Sequence, residues 1–216
     1  MAKTRILLAD DHEIVRQGLR SLLENDGFEI CGEFSNGREA VDGVKQLKPD
    51  VAILDISMPE LNGVEATQQI ARQFPDSRVI VMTMHDSEEL ARRVLEAGAR
   101  GYVLKSDAAR DLTQAVKSVL KGQPFFSGKI SEMLLRGYLD GGRSAQPESS
   151  LPSLTPRERE VVQLLAEGKS SKEVASVLGT SPATVETQRA KIMQKLDLHS
   201  VTDLVRYAIR NHIIEP

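Results

Sequence analysis

A doubly wound α/β domain with a mainly parallel sheet, joined by a linker to a small all-α domain of four helices, is the fold class predicted here. Three observations predict it. Short β-rich runs alternate with longer amphipathic stretches over residues 1–120, the pattern breaks at Gly122, and residues 151–216 carry helical periodicity with no strand-like alternation. Residues 6–9, 29–32, 51–54, 79–82 and 102–104 read as strands. Three of them are near-continuous apolar runs, as expected when both faces of a sheet are covered. Between them, residues 12–24 place Ile14, Leu19, Leu22 and Leu23 at helical spacing, and residues 86–97 do the same with Leu90, Val94 and Leu95. A (βα)5 repeat puts its functional site at the carboxyl ends of the strands.

Beyond Gly122, residues 127–139 predict one helix through Ile130, Met133, Leu134 and Leu135, and residues 140–150 have linker composition. Four helices follow, at 156–167, 171–178, 182–196 and 200–211. Thr155 supplies an N-cap with Pro156 at the first helical position and Glu158 at the third, and Ser181-Pro182 repeats the entry. Gly168 and Gly179 stand where helices should end. The chain therefore divides into residues 1–122, a partly helical linker over 123–150, and residues 151–216. No internal repeat links the two halves.

Its 216 residues suit one domain of ordinary size plus a small one. Hydrophobic residues at 40% and charged residues at 27% are ordinary globular values, and no apolar run nears the roughly 20 residues needed to span a bilayer. No membrane association and no secretory leader are expected. The single Cys31 excludes an intramolecular disulfide and fits the cytoplasm; it reads as a buried strand residue rather than a reactive thiol. The net charge of −3 is unevenly spread: residues 1–122 carry 16 Lys/Arg against 20 Asp/Glu, residues 123–150 carry 3 against 3, and residues 151–216 carry 9 against 8. A basic excess this small points only weakly to nucleic acid, so charge placement within the last segment has to decide.

Asp10 and Asp11 follow the first strand and Asp55 follows the third, so a doubly wound sheet brings three carboxylates to one edge. They repel one another unless a hard divalent cation shares them, and magnesium is the natural candidate because it accepts a few carboxylates and keeps waters for an incoming phosphate. Thr83 ends the fourth strand and Lys105 follows the fifth, adding a hydroxyl and a cation. These parts suit phosphoryl transfer to a carboxylate. Any one of these residues after a strand is as readily a turn or N-cap residue; the five together, at the ends of four strands, are not explained that way.

Asp10-Asp11, Asp55 with Met58, Pro59 and Gly63 behind it, Thr83 and Lys105 resemble the receiver domain of two-component response regulators. The resemblance implies a flavodoxin-like receiver in which Asp55 is the phosphoacceptor for a cognate sensor histidine kinase. It also implies that Asp10, Asp11, Asp55 and the Ser57 carbonyl hold Mg2+, and that Thr83 and Lys105 contact the phosphoryl group. Tyr102 matches the switch aromatic of that family, although an ordinary strand aromatic would also stand there. By the same resemblance, Ser57 and His85 occupy positions that in that family tune access of water to the phosphate; on its own residues His85 is read as a solvated loop residue.

In the last segment, residues 154–162, 168–175 and 184–196 resemble the LuxR-type helix-turn-helix of NarL/FixJ regulators. Residues 182–196 form an amphipathic helix with Val185, Ile192 and Leu196 on its apolar face and a cationic polar face, preceded by a short helix and a tight turn, which favours insertion into a DNA groove. The resemblance puts Thr184, Glu186, Thr187 and Gln188 near base edges, with Lys191 and Lys195 towards phosphates. Glu186 either accepts from a cytosine amino group or faces solvent. The helix at 200–211, through Val201, Leu204, Val205 and Ala208, packs on the module and offers a face to a second subunit. Expected partners are the kinase, double-stranded promoter DNA, a second copy on phosphorylation, and RNA polymerase. A phosphatase or mutase reading is weak, because Ser57 stands where such enzymes place a second carboxylate, and the chain is expected not to be an enzyme. An output module binding protein or RNA is the other alternative.

Overall fold

The computed structural model describes residues 3–128, 130–132 and 154–215. They fall into two compact units. In the first, the order is β1 (Arg5–Ala9), α1 (Glu13–Asn25), β2 (Glu29–Phe34), α2 (Gly37–Leu47), β3 (Val51–Asp55), α3 (Gly63–Gln73), β4 (Arg78–Thr83), α4 (Glu88–Glu96), β5 (Gly101–Leu104), α5 (Ala108–Leu120) and β6 (Phe125–Phe126). The sheet is parallel throughout, with strand order β2-β1-β3-β4-β5-β6. Every residue of the central strand β3 is buried, which is why its sequence reads as an unbroken apolar run until it reaches Asp55.

The five strands read from the sequence are all present. The sixth is not foreseen: it is two residues long, too short for a periodic signal, and is held by pairing of the Phe125 and Ser127 amides with the Arg100 and Tyr102 carbonyls. Cys31 departs from expectation too. It lies on the edge strand β2, where no residue is fully buried, and it is itself half-buried. Of the helix expected over 127–139, Gly128 and residues 130–132 are helical; residue 129, residues 133–139 with Met133, Leu134 and Leu135, and the 140–150 linker lie outside the described residues.

The loop after β3 is fixed by its backbone. Asn62, fully buried, caps α3 by accepting from the Val64 and Glu65 amides at 3.0 and 3.1 Å. Gly63 donates its N–H to the Ile56 carbonyl at 2.8 Å, and a Cβ there would collide with the Asp55 carbonyl oxygen. The glycine eight residues after Asp55 is thus required by close backbone approach.

The second unit holds α6 (Pro156–Ala166), α7 (Ser171–Leu178), α8 (Pro182–Lys195) and α9 (Val201–Arg210). Each lies within a residue or two of its expected span. Thr155 and Glu158 form the expected reciprocal capping box, Ser170 and Glu173 form a second, and Ser181 caps α8. Gly179 ends α7 at φ 61°, the left-handed conformation that favours glycine. Val161, Leu164, Val174, Val185, Ile192, Leu204 and Ala208 share one core.

Gly63→Ala should lower stability by about 1–3 kcal/mol through this overlap. Gly18→Ala, in α1 where a Cβ meets nothing within 4 Å, should raise it by about 0.5–1 kcal/mol. Urea midpoints of the two variants check this, and shifts of the same sign would contradict it.

Candidate functional site

Because β1, β3, β4 and β5 lie side by side and parallel, their carboxyl ends form one edge, and Asp10, Asp55, Thr83 and Lys105 meet there. The Lys105 ammonium stands 2.8 Å from Asp10 Oδ2 and 2.9 Å from Asp55 Oδ2. Asp10 and Asp55 are only 2% and 3% exposed, so one ammonium bridges two carboxylates that water hardly reaches. Asp10 Oδ1 accepts the His12 N–H at 2.9 Å, and the Asp10 carbonyl accepts from the Arg16 guanidinium at 2.6 Å. Asp11 is exposed, with its carboxylate 2.7 Å from His12 Nδ1.

Burial pushes the Asp55 carboxyl up to about 7; the neighbouring Lys105 charge pulls it down, while Asp10 and Asp11 push it up. For Lys105, burial works against the charged form, but attraction to Asp55 and hydrogen bonding to Asp10 and Asp55 outweigh it and the ammonium is held above its ordinary value. Burial is the largest influence on both groups: it outweighs the pull of Lys105 on Asp55, whereas the two carboxylates outweigh it at Lys105.

The donor chemistry fits a hard divalent cation. Asp10 Oδ2 is buried and meets the Lys105 ammonium, which leaves acceptor capacity on the Asp10 and Asp55 carboxylates that one lysine does not fill. Asp10, Asp11 and His12 bring one potential ligand atom each within 4.8 Å of one another. His12 is a neighbour that the sequence reading passed over; its position directly after Asp11 was the available signal. Ser57, half-buried, lies two residues past Asp55.

Thr83 connects this edge to β5. Its hydroxyl, buried at the end of β4, accepts the His85 N–H at 3.0 Å, and the Tyr102 hydroxyl donates to the His85 carbonyl at 2.9 Å. Tyr102 is fully buried, and burial raises its phenol above the ordinary value. The loop reading of His85 needs correction to this extent: its side chain is half-buried and its backbone bridges Thr83 and Tyr102.

In the second unit, α8 exposes Thr184, Glu186, Thr187 and Lys191. The Thr184 hydroxyl is within the Ser181 cap and the Thr187 hydroxyl donates back to the Ala183 carbonyl at 2.9 Å. Gln188 is half-buried, with its amide oxygen enclosed and without a donor among the described residues, so it is less presented than its neighbours. Lys195 is drawn against Glu158 at 2.8 Å. On α9, Leu204 and Ala208 belong to the core, which leaves the exposed Val201 and half-buried Val205 for any partner face. Among the described residues no helix is long and apolar enough to cross a membrane.

Residues 6–117 match the family model of the response regulator receiver domain, and residues 152–208 match that of bacterial regulatory proteins of the luxR family. The chain is 39% identical to the transcriptional regulatory protein LiaR of Bacillus subtilis over 97% of its own length and 99% of that protein. Among solved structures it is similar to the RcsB response regulator of Salmonella typhimurium, with TM-score 0.64 and 30% identity, covering 96% of this chain and 97% of the other. It is likewise similar to RcsB in a complex with DNA, with TM-score 0.58 and 30% identity over 95% and 98%. With the strand-end acidic edge in its first unit and the capped helix-turn-helix in its second, the chain belongs to the NarL/FixJ response regulators, which join a receiver domain to a LuxR-type DNA-binding domain.

Proposed function

We propose that Asp55 accepts a phosphoryl group from a sensor histidine kinase, and that this modification controls dimerisation and binding to promoter DNA. In this reading residues 1–122 are the receiver, 123–150 the linker and 151–216 the DNA-binding domain. The observation that supports it most is the placement of Asp55, a buried carboxylate at the end of the central strand that shares one ammonium with Asp10.

The chemistry follows from the charges. An Asp55 oxygen forms a bond to phosphorus as the bond from phosphorus to the donor histidine nitrogen breaks, and the electron pair of that bond stays on the imidazole. Asp10, Asp11, Asp55 and the Ser57 carbonyl would hold magnesium, which when bound supplies positive charge for the carboxylates and the phosphoryl oxygens. Lys105 is already beside Asp55 and needs no long excursion to meet a phosphoryl oxygen. Thr83 has a hydroxyl with one donor and two acceptor positions, so it can donate to the phosphoryl group while keeping the His85 N–H. Phosphorylation adds roughly −1.5 to −2 charge and fresh acceptor oxygens. It thereby tightens the run from Thr83 through His85 to Tyr102, and this run is how β5 senses the change.

RcsB is found in a complex with DNA, and the exposed face of α8 offers the residue types that read a major groove. Thr184, Glu186 and Thr187 would face base edges and Lys191 a phosphate. Val201 and Val205 of α9 are the face we assign to a second copy, and RNA polymerase is the further partner at a promoter. A chain working between a sensor kinase and promoter DNA in this way would do so in the cytoplasm.

Magnesium with a small phosphodonor should add one phosphoryl group to the wild-type chain, seen in its intact mass, and none to Asp55→Asn; undiminished labelling of that variant refutes the assignment. Thr83→Ala should still be labelled yet lose most of the phosphorylation-dependent rise in dimer affinity measured by sedimentation. Dimerisation indistinguishable from wild type would break the link from Thr83 to the output.

A further inference from the structure

Two residues of one helical turn, Arg157 and Glu158 at the start of α6, reach the far ends of both other helices of the helix-turn-helix. The Arg157 guanidinium donates to the Leu178 carbonyl at 3.0 Å, satisfying a carbonyl at the end of α7 with a cation, which also suits the helix dipole there. The same guanidinium is 3.1 Å from Glu160, which steadies it. Glu158 Oε2 accepts the Lys195 ammonium at 2.8 Å in the last residue of α8, and also accepts the Thr155 N–H at 2.7 Å as part of the capping box. The Glu158 carboxylate is therefore fixed by the helix start before it meets Lys195, so little side-chain freedom remains to be lost in the pair.

The position of Lys195 on α8 agrees. At about 100° per residue it falls about 80° from Val185, the centre of the buried face, whereas Lys191 falls about 120° away. Lys191 is exposed and makes no ion pair or hydrogen bond with other described residues; Lys195 is half-buried against α6. Two lysines four residues apart on one helix thus have different surroundings.

We infer that the first turn of α6 is a clamp that sets the angle between α7 and α8, and that Lys195 is a positioning residue for DNA binding rather than a phosphate contact. This rests on the DNA-binding function proposed above. It revises the sequence expectation, which grouped Lys195 with Lys191. It also assigns a DNA-affecting role to Glu158, an acidic residue that simple charge reasoning would class as unfavourable for binding.

That sign gives the test. Glu158→Gln keeps an oxygen for the Thr155 N–H but removes the charge facing Lys195, and Lys195→Met keeps the length of the side chain without its charge. In the full-length chain, with a duplex recovered from a random-sequence pool by the wild type, each should weaken binding about three- to tenfold. The salt slope should stay unchanged, and the double variant should bind no worse than either single one. Lys191→Ala should instead flatten the salt slope by about one unit per subunit, the mark of a lost phosphate contact. Tighter binding by Glu158→Gln, or a slope flattened by one unit in Lys195→Met, overturns the clamp. Hydrogen exchange in the free chain reads it without DNA. Lys195→Met should speed exchange severalfold in the last turn of α8, and unchanged exchange there refutes the clamp even if the wild type binds the duplex as proposed.

Discussion

One ammonium held between two buried carboxylates is the constraint on which the receiver unit is organised. A parallel sheet covered on both faces delivers its strand ends into low-dielectric surroundings, where Asp10 and Asp55 are costly to keep ionised without a cation. Lys105, brought to the same edge by β5, supplies that cation at 2.8 and 2.9 Å. The match is incomplete, because Asp11 adds a third carboxylate and the Asp10 and Asp55 oxygens keep acceptor capacity that one ammonium does not fill. An edge left in this condition favours an added divalent cation, and with it an incoming phosphoryl group.

Rigidity around that edge comes from the backbone rather than from more charges. The Gly63 approach to the Asp55 carbonyl and the buried Asn62 cap hold the loop after β3, so Asp55 is presented by main-chain geometry. The Thr83 hydroxyl lies on the same edge, and its link through His85 to the fully enclosed Tyr102 runs along main-chain atoms as well. A change of charge at Asp55 therefore acts on a small number of well-held groups. In the second unit the same economy appears in α6, whose first turn serves at once as a helix start and as a contact with the ends of α7 and α8.

Periodicity and strand-end chemistry were legible in the sequence; pairing between distant side chains was not. Five strands, the four C-terminal helices and the meeting of Asp10, Asp55, Thr83 and Lys105 follow from apolar runs of the right length and from the rule that sites lie at carboxyl ends of parallel strands. The two-residue β6 escaped because its stability comes from backbone pairing with β5, which leaves no pattern. Cys31 was misplaced because a β-rich run does not say whether its strand is central or at an edge. Lys195 looked like Lys191 because both fall on the polar side of a helical wheel, and only the position of Glu158, 37 residues away, separates them. Leu204 and Ala208 take the core side of α9, as helical spacing expects, but spacing alone does not say which of its four apolar residues remain for a second subunit.

The most direct measurement of the charge imbalance is stability against pH for the wild type and Asp55→Asn, with divalent cations removed. The Asp55 carboxyl is raised from 3.8 to about 7 by burial, so its contribution is fully present below about 3.8 and is lost as pH rises through about 7. Asp55→Asn escapes that loss. The variant should gain on the wild type across this window, ending more stable at pH 8 by on the order of 2–4 kcal/mol, and magnesium should stabilise the wild type more than the variant. A wild type that at pH 8, without divalent cations, is as stable as Asp55→Asn or more so would contradict the claim that Lys105 does not fully offset the burial of the Asp55 charge.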